Sequence, residues 1–412
     1  MQILRHLVVF ALLAGLAEGC YWSVRLAWAD HLFRRDSLQA VARASWLEPG
    51  NAEYHARLAE FFADAADRER ARSELQQAVS ADPRLGGAWI ELGRNAETSG
   101  DIAQAEQYLV RAAQVDRTYS TLWTLSNFYF RHEEQEKFWP VAQHALRIGD
   151  VRAHDPAPLF RLCWKMSRNP AMVLARALPD IGSVQARYLE FLVRENLAPA
   201  AEPVTERVVA LAGDEDLGPV FQYCDRLIAA GDADRALHSW NALCWRTLHA
   251  YRPLEPQTGA GLTDGNFSSA PVGHGFDWRI PAVPGVTVER GGLEPRLWIT
   301  FDGHEPEICD VLEQYLALVP GRRYRLRTHY QTDDIGAGTG LRWRISDAAT
   351  GGEITSDSAD LASELQTDAT ARFEAPPGMR LARLAMSYRR SPGTVHIVGR
   401  LALSSVALEF NP

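Results

Sequence analysis

The sequence predicts a multidomain chain, helical first and β second: an N-terminal membrane helix, an α-solenoid, and a C-terminal antiparallel β-sandwich of the jelly-roll type. Three observations predict this order: an apolar run near the N-terminus, a 3.6-residue apolar period through most of the first 250 residues, and a switch to alternation beyond residue 258. We expect a signal anchor or transmembrane helix at 1–35, a helical domain at 36–250, a linker at 251–262 and the sandwich at 263–412.

Composition excludes several classes of protein. The 412 residues are 46% apolar and 23% charged, which is typical of a globular chain and not of a disordered or polytopic membrane protein. A net charge of -9 argues against a nucleic-acid partner. The five cysteines form no CxxC pair and no zinc-type cluster with histidine. Of the 43 basic residues only Lys137 and Lys165 are lysine, so basic surfaces are built from arginine, which binds acids bidentately.

The N-terminal segment is typical of an export signal that stays in the membrane. Residues 7–17 are wholly apolar and follow Arg5 and His6. Extension to residue 29 gives enough length to cross a bilayer, with Glu18 as the main energetic cost. Tyr21, Trp22 and Trp28 would then form an interfacial aromatic belt.

Three alternatives remain open for this segment: cleavage after the small-x-small motif at 27–29, a lipoprotein with Cys20 as the lipidated residue, and the buried first helix of a soluble protein. Arg25, Arg34 and Arg35 outnumber the positive charge before the span, so charge alone does not set the topology. We expect a single-pass protein of the bacterial inner membrane with its bulk in the periplasm; a secreted protein or a lipoprotein is the alternative.

Two consecutive segments, 52–85 and 86–119, align at a period of 34 residues. Small residues recur where antiparallel helices cross, and bulky residues recur where they fill the space between hairpins. The small pairs are Ala59/Gly93 and Ala71/Ala105, and bulky pairs include Leu58/Leu92 and Leu75/Leu109. The pattern resembles the tetratricopeptide repeat.

The repeat pattern continues less regularly on both sides. Segment 36–49 looks like the second helix of an earlier repeat, whose first helix would be the hydrophobic N-terminal segment. Further units fall at 119–150 and 217–250, so we expect five or six stacked helix pairs. The resemblance implies a concave groove for a partner protein, although no groove residue can be named. A spacer without a specific ligand is the alternative.

In the last third of the chain, apolar and polar residues alternate with a period of two. Strands are predicted at 296–301, 322–332, 340–347, 369–374, 381–389 and 395–410, separated by Gly, Pro and Asp turns. Many short antiparallel strands indicate a sandwich or jelly roll.

Four motifs in this region occur in a fixed order: DGNF at 264–267, GFDW at 275–278, LVPGRRYRL at 318–326 and LSSVAL at 403–408. They resemble the galactose-binding-like jelly roll of carbohydrate-binding modules of the family 4/9 type. The resemblance implies a glycan ligand, and a structural calcium to which Asp264 could contribute. Ser404 and Ser405 replace the closing acidic pair of that family, so we expect no metal or other cofactor.

Alternation selects the candidate glycan-binding residues. Basic side chains alternate with core residues along three strands, and together they would form a strip for an acidic glycan. These residues are Arg325, Arg327, His329, Arg342, Arg344 and Arg389. The alternative is a solvated face on which the arginines pair with Asp and Glu.

Aromatic residues supply the second set of glycan-binding candidates. Trp278 and Trp298 could stack on a sugar ring, whereas Trp343 alternates inward with core residues. His274 and Asp277 flank the motif before Trp278 and could lie at the rim of a cleft.

The sequence carries no recognisable catalytic motif. Glu305 and Glu307 are the one close carboxylate pair near a histidine, and a turn is the simpler explanation for them. We therefore expect no enzyme but a membrane-anchored scaffold that links a protein partner to an envelope or secreted polysaccharide during its assembly or export. One alternative is a structural interaction protein whose sandwich binds no sugar, and another is a degenerate glycoside hydrolase accessory.

Overall fold

The computed structural model describes residues 2–151, 153–248, 251–292 and 295–411, and it divides into two compact units, Met1–Pro179 and Asp180–Pro412. The first unit is helical. The second combines four helices with the β-sheets, so the last helices of the predicted helical domain pack with the sandwich rather than apart from it.

The first unit is a TPR-like solenoid of antiparallel helices, which confirms the predicted fold class. Its helices are α1 Gln2–Phe33, α2 Leu38–Leu47, α3 Ala52–Asp64, α4 Arg68–Ala81, α5 Gly86–Thr98, α6 Ile102–Val115, α7 Tyr119–Arg131, α8 Gln135–Ile148, α9 Ala157–Ser167 and α10 Pro170–Arg176. Asp67 and Asp101 cap the second helix of their hairpins, each accepting from a backbone N–H in the first turn.

Close helix contact explains the small residues of the repeat. A Cβ on Gly93 of α5 would lie 2.7 Å from the Leu109 side chain of α6, so this position has no room for a larger residue. Ala59, Leu75, Ala78 and other buried residues of α3, α4 and α5 form a continuous core between consecutive hairpins.

The first helix is continuous from the apolar segment into the solenoid. Its stretch Arg5–Phe33 is long and apolar enough to span a membrane by length and composition, a property that a signal sequence shares. Towards its end, Ala29 and Leu32 are buried against Ala44 of α2 and Tyr54 of α3. The N-terminal helix therefore contributes to the first hairpin.

In its described residues, the second unit contains two pairs of α-helices and nine strands. The helices are α11 Gly182–Arg194, α12 Glu202–Leu211, α13 Gly218–Ala229 and α14 Ala233–Arg246. The strands are β1 Val286–Arg290, β2 Leu297–Asp302, β3 Ile308–Ala317, β4 Arg323–Asp333, β5 Leu341–Asp347, β6 Thr355–Ser358, β7 Thr367–Glu374, β8 Leu381–Arg389 and β9 Val398–Phe410.

The strands form two antiparallel sheets. One has the order β1-β2-β9-β4-β7-β6, and the other has the order β3-β8-β5. Buried residues from both sheets, including Ile299, Leu326, Trp343 and Met386, form one hydrophobic core.

The predicted linker is packed rather than free. Tyr251 and Leu254 are buried, and the Asn241 side chain of α14 binds the backbone of Leu254 through two hydrogen bonds of 2.8 and 3.0 Å. This segment thus holds α14 to the start of the sandwich.

Candidate functional site

A row of small side chains lies along β9 on the outer face of the six-stranded sheet. Leu401, Leu403 and Val406 point into the core, and Ala402, Ser405 and Ala407 lie on the other side of β9. Ser405 and Ala407 are half-buried there, whereas Ala402 is only 3% exposed. In the neighbouring strand β4, Gln331 lies opposite Ala402, His329 opposite Ser405, and Arg327 opposite Ala407.

An aromatic ring borders this row on its other side. Trp298 of β2 pairs in register with Ala402, and its neighbours Leu297 and Ile299 are buried, so Trp298 faces outward as alternation predicted. The guanidinium of Arg400 lies 4.9 Å from the centre of the Trp298 ring. We call the surface formed by Trp298, Gln331, His329, Arg327, Arg325, Ala402, Ser405 and Ala407 the β9 trough.

The basic side chains of the β9 trough are only partly neutralised. Arg325 donates to Glu409 at 2.8 Å, and Arg327 lies 3.5 Å from the same carboxylate, so two guanidinium groups share one acid. His329 Nδ1 lies 2.8 Å from Asp368. The arrangement offers donors for hydroxyl or carboxylate oxygens next to an apolar ring.

The predicted single basic strip is wrong, because β4 and β5 belong to different sheets. Arg342, Arg344 and Arg389 lie on β5 and β8 of the three-stranded sheet, away from Arg325, Arg327 and His329. Arg344 pairs with Glu353 at 2.6 Å. Arg342 and Arg389 are exposed.

Trp278 cannot serve as a stacking residue. Its side chain is 0% exposed and packs against Phe267 and Trp343 in the sandwich core. Its indole N–H donates to the Asp264 carbonyl at 3.1 Å, which satisfies the one polar atom of the ring.

His274 and Asp277 form a joint between helices and sandwich rather than a cleft rim. His274 Nδ1 lies 2.6 Å from Asp225 of α13. Asp277 is buried and accepts hydrogen bonds from Val272 N and the Tyr251 hydroxyl, at 2.6 and 2.9 Å. Burial raises the pKa of the Asp277 carboxyl. The pKa of the Tyr251 hydroxyl is also raised, mainly by burial and to a smaller extent by the nearby charge of Asp277.

The geometry around Asp264 does not fit a calcium ion. Its carboxylate accepts hydrogen bonds from Ser268 N, Ser268 Oγ and Ser269 N at 2.7 to 3.1 Å, so both oxygens already have partners. Across the described parts of the chain, no group of three or more His, Cys, Asp or Glu side chains is placed to hold a metal ion.

The carboxylate pair noted near a histidine does not share a cleft. The Glu305 side chain is buried and accepts from Ile397 N at 2.8 Å. Glu307 is exposed and pairs with Arg390. The two carboxylates therefore differ in both partner and exposure.

A second candidate site lies in the first unit, between the first helices of consecutive hairpins. A pocket of about 550 Å³ is lined by α3 and α5, with Ala56, Ala63 and Ile90 on its apolar wall and Glu60 and Glu91 on its polar side. The 34-residue period placed these helices, but the period alone does not show which faces stay open.

Comparisons with known proteins agree with the helical repeat. No protein-family model matches the chain. The TPR repeat-containing protein PA0015 of Pseudomonas aeruginosa is 41% identical over 46 residues, or 11% of this chain and 44% of that protein. The matched part is thus less than half the length of that relative.

Three solved structures are similar at low identity. YrrB, described as a TPR protein with an unusual peptide-binding site, is 13% identical over 52% of this chain and 98% of its own, with a TM-score of 0.26. A CBM4 structure is 13% identical over 36% of this chain and 98% of its own, with a TM-score of 0.29. PilF of Pseudomonas aeruginosa is 16% identical over 57% of this chain and 93% of its own, with a TM-score of 0.25.

Proposed function

We propose that the protein is a non-catalytic, membrane-anchored adaptor that links a partner protein, held by the solenoid, to an acidic envelope or secreted polysaccharide, held by the sandwich. The observation that carries the proposal is the β9 trough, where Trp298 borders a small-residue row opposite Arg327 and His329.

The β9 trough has the features that sugar recognition needs. A flat sugar ring can approach the sheet over Ser405 and Ala407, which project little and are half-buried, whereas Ala402 beside Trp298 is already covered. The Trp298 ring is partly exposed, and the part that the Arg400 guanidinium does not cover can pack on the C–H face of the sugar. Because Arg325 and Arg327 share the single carboxylate of Glu409, an incoming carboxylate or phosphate gains a charge-assisted contact.

The solenoid supports the second half of the proposal. The α3–α5 pocket is bounded by Ala63 and Ile90 and is open to solvent, so an extended segment of a partner protein can lie across it. Glu60 and Glu91, on the polar side of the pocket, already pair with Arg57 and Arg94 of their own helices, so the pocket lining sets no charge preference for the segment. The apolar stretch Arg5–Phe33 would hold this assembly to the inner membrane.

Binding of the full-length protein, in detergent, to an array of neutral and acidic polysaccharides tests the proposal. We expect retention on acidic glycans that weakens with added salt, because exposed arginines contribute. If no neutral or acidic glycan is retained, the sandwich is not a carbohydrate-binding domain and this half of the proposal fails.

A second candidate is a structural role in which the sandwich binds no sugar. The observation that favours it is the close packing of Gly275 against α14, where an added Cβ would lie 2.5 Å from the Trp240 ring. A motif that resembles a ligand-binding module is thus used for packing. Absence of glycan binding together with a cooperative second unit would favour this candidate.

A further inference from the structure

We propose that the end of α2 lies in the headgroup region of a lipid bilayer, so that Trp46 together with α1 holds the solenoid against the membrane. The inference rests on the proposed membrane anchor and adds a second contact with the same partner. It starts from Trp46, whose side chain is 75% exposed in the last turn of α2.

A hydrogen bond from Arg25 shows where the end of α2 lies along the axis of α1. The Arg25 Nε donates to the carbonyl of Leu47, the last residue of α2, at 2.7 Å. Because α2 runs back along α1, its end lies beside Arg25 and not beside the end of α1. From Leu7 to Arg25 the helix rises about 27 Å, close to the ~30 Å thickness of the hydrocarbon core. With Leu7 at one boundary, Arg25 and the end of α2 reach the other.

The side chains at this level are those that membrane interfaces favour. Tyr21, Trp22 and Trp28 of α1 are exposed, and the guanidinium of Arg25 lies 4.8 Å from the centre of the Trp22 ring. Tryptophan is stable in the headgroup region because its ring is apolar while its N–H can meet water or lipid. Trp46 extends the aromatic belt of α1 onto a second helix.

The space between the two helices suits acyl chains better than water. An open depression of about 530 Å³ is lined mainly by apolar atoms, with Ala17, Val24, Trp28 and Leu47 among its walls. Arg25 borders it and can reach a lipid phosphate while its stem stays in the apolar region. One lipid surface would thus cover the depression, the belt of α1 and Trp46 together.

A fluorescent label tests the depth of the α2 end. Cys20 and Cys309 are replaced by serine in the full-length chain, and the other three cysteines are buried. A nitrobenzoxadiazole label is then attached to the Trp46→Cys variant in phosphatidylcholine–phosphatidylglycerol vesicles with shallow spin-labelled lipid. The control is Ser99→Cys, an exposed position between α5 and α6, at the opposite end of the hairpins.

We expect the label at position 46 to shift to shorter wavelength and to lose most of its emission to the quencher, while the label at position 99 does neither. Alkaline carbonate extraction of the same vesicles reports on the anchor separately. Protein that resists extraction but shows no quenching at position 46 overturns this inference and leaves the anchor intact. Protein that is extracted overturns the anchor and the inference with it.

Discussion

Asp225 of α13 binds Arg279, which lies just before the strands of the sandwich: its Oδ1 accepts from Arg279 Nη2 at 2.7 Å. The same carboxylate accepts from Gly275 N at 2.7 Å and lies 2.6 Å from His274 Nδ1. One acidic side chain therefore joins the last helix pair to three positions of a single segment, and the second unit is expected to unfold as one body.

Replacing Asp225 by alanine should lower the free energy of unfolding of the second unit by about 1–3 kcal/mol, because partly buried donors lose a charged acceptor. Urea unfolding, followed by tryptophan fluorescence and by far-UV circular dichroism, measures this change. The matched control is Asp234→Ala, which breaks the exposed pair with Arg380 and should cost less than about 1 kcal/mol. Equal losses in the two variants would contradict the role assigned to Asp225.

Gly275 tests how closely the segment sits on the helices. Both Gly275 and Gly273 have positive φ, but a Cβ on Gly275 would meet Trp240 at 2.5 Å, whereas one on Gly273 meets nothing within 4 Å. Gly273→Ala should therefore carry only backbone strain, and Gly275→Ala should cost about 1–3 kcal/mol more from overpacking. Thermal unfolding of the two variants gives the comparison, and similar melting temperatures would argue against close packing at Trp240.

The α3–α5 pocket predicts a selective loss of partner binding. Ala63→Trp fills the pocket mouth from an exposed position, so it should abolish capture of the partner while leaving the fold intact. Ala103→Trp, at an exposed position of α6 outside the pocket lining, is the control. Cross-linking in cells that express each variant measures capture, and loss in both variants would indicate a general defect instead.

Asp277 predicts a pH dependence with a definite sign. Burial raises the pKa of its carboxyl above the ordinary value of 3.8, so the folded state binds this proton more tightly than the unfolded state. Its contribution to stability is present at acid pH and is lost as the pH rises through the folded pKa. The free energy of unfolding of the wild type relative to Asp277→Asn should fall as the pH rises above the ordinary carboxyl value of 3.8. A difference that rises with pH would show that the charged form is the stabilised one.

The repeats and several strands could be predicted from the sequence because packing constrains every member of their patterns. Ala59 and Gly93 recur at 34 residues since each faces a crossing helix. Strand β3 went unpredicted because Val311 lies at a register shift and Gln314 occupies an inward position. Gln314 is buried there, and its Nε2 donates to the Thr263 carbonyl. Apolar and polar residues therefore do not alternate along β3 as they do in a typical half-buried strand.

The candidate site could be predicted only in part, for a topological reason. Alternation tells which side chains share a face of one strand, and it placed Trp298, Arg327 and His329 outward as observed. It does not tell which sheet a strand joins, so it cannot separate Arg342 from Arg327, whose strands lie in different sheets. The small residues of β9 could not be predicted as part of the site, because only the strand order shows that β2, with Trp298, and β4 lie on either side of β9.

Arg327 and Arg342 are exposed arginines on the two different sheets, and comparing their variants tests most directly whether the β9 trough binds a glycan. Affinity electrophoresis of the full-length protein in gels that contain an acidic polysaccharide measures binding of Arg327→Ala and Arg342→Ala, which remove the same group from β4 and β5. We expect Arg327→Ala to weaken binding by about tenfold, the loss of one charge-assisted contact, and Trp298→Ala to weaken it by a similar factor, the loss of one stacking contact. Arg342→Ala and Trp245→Ala, an exposed tryptophan of α14, should bind as the wild type does. Unchanged migration of Arg327→Ala and Trp298→Ala, or an equal loss in Arg342→Ala, would contradict a glycan site on the six-stranded sheet.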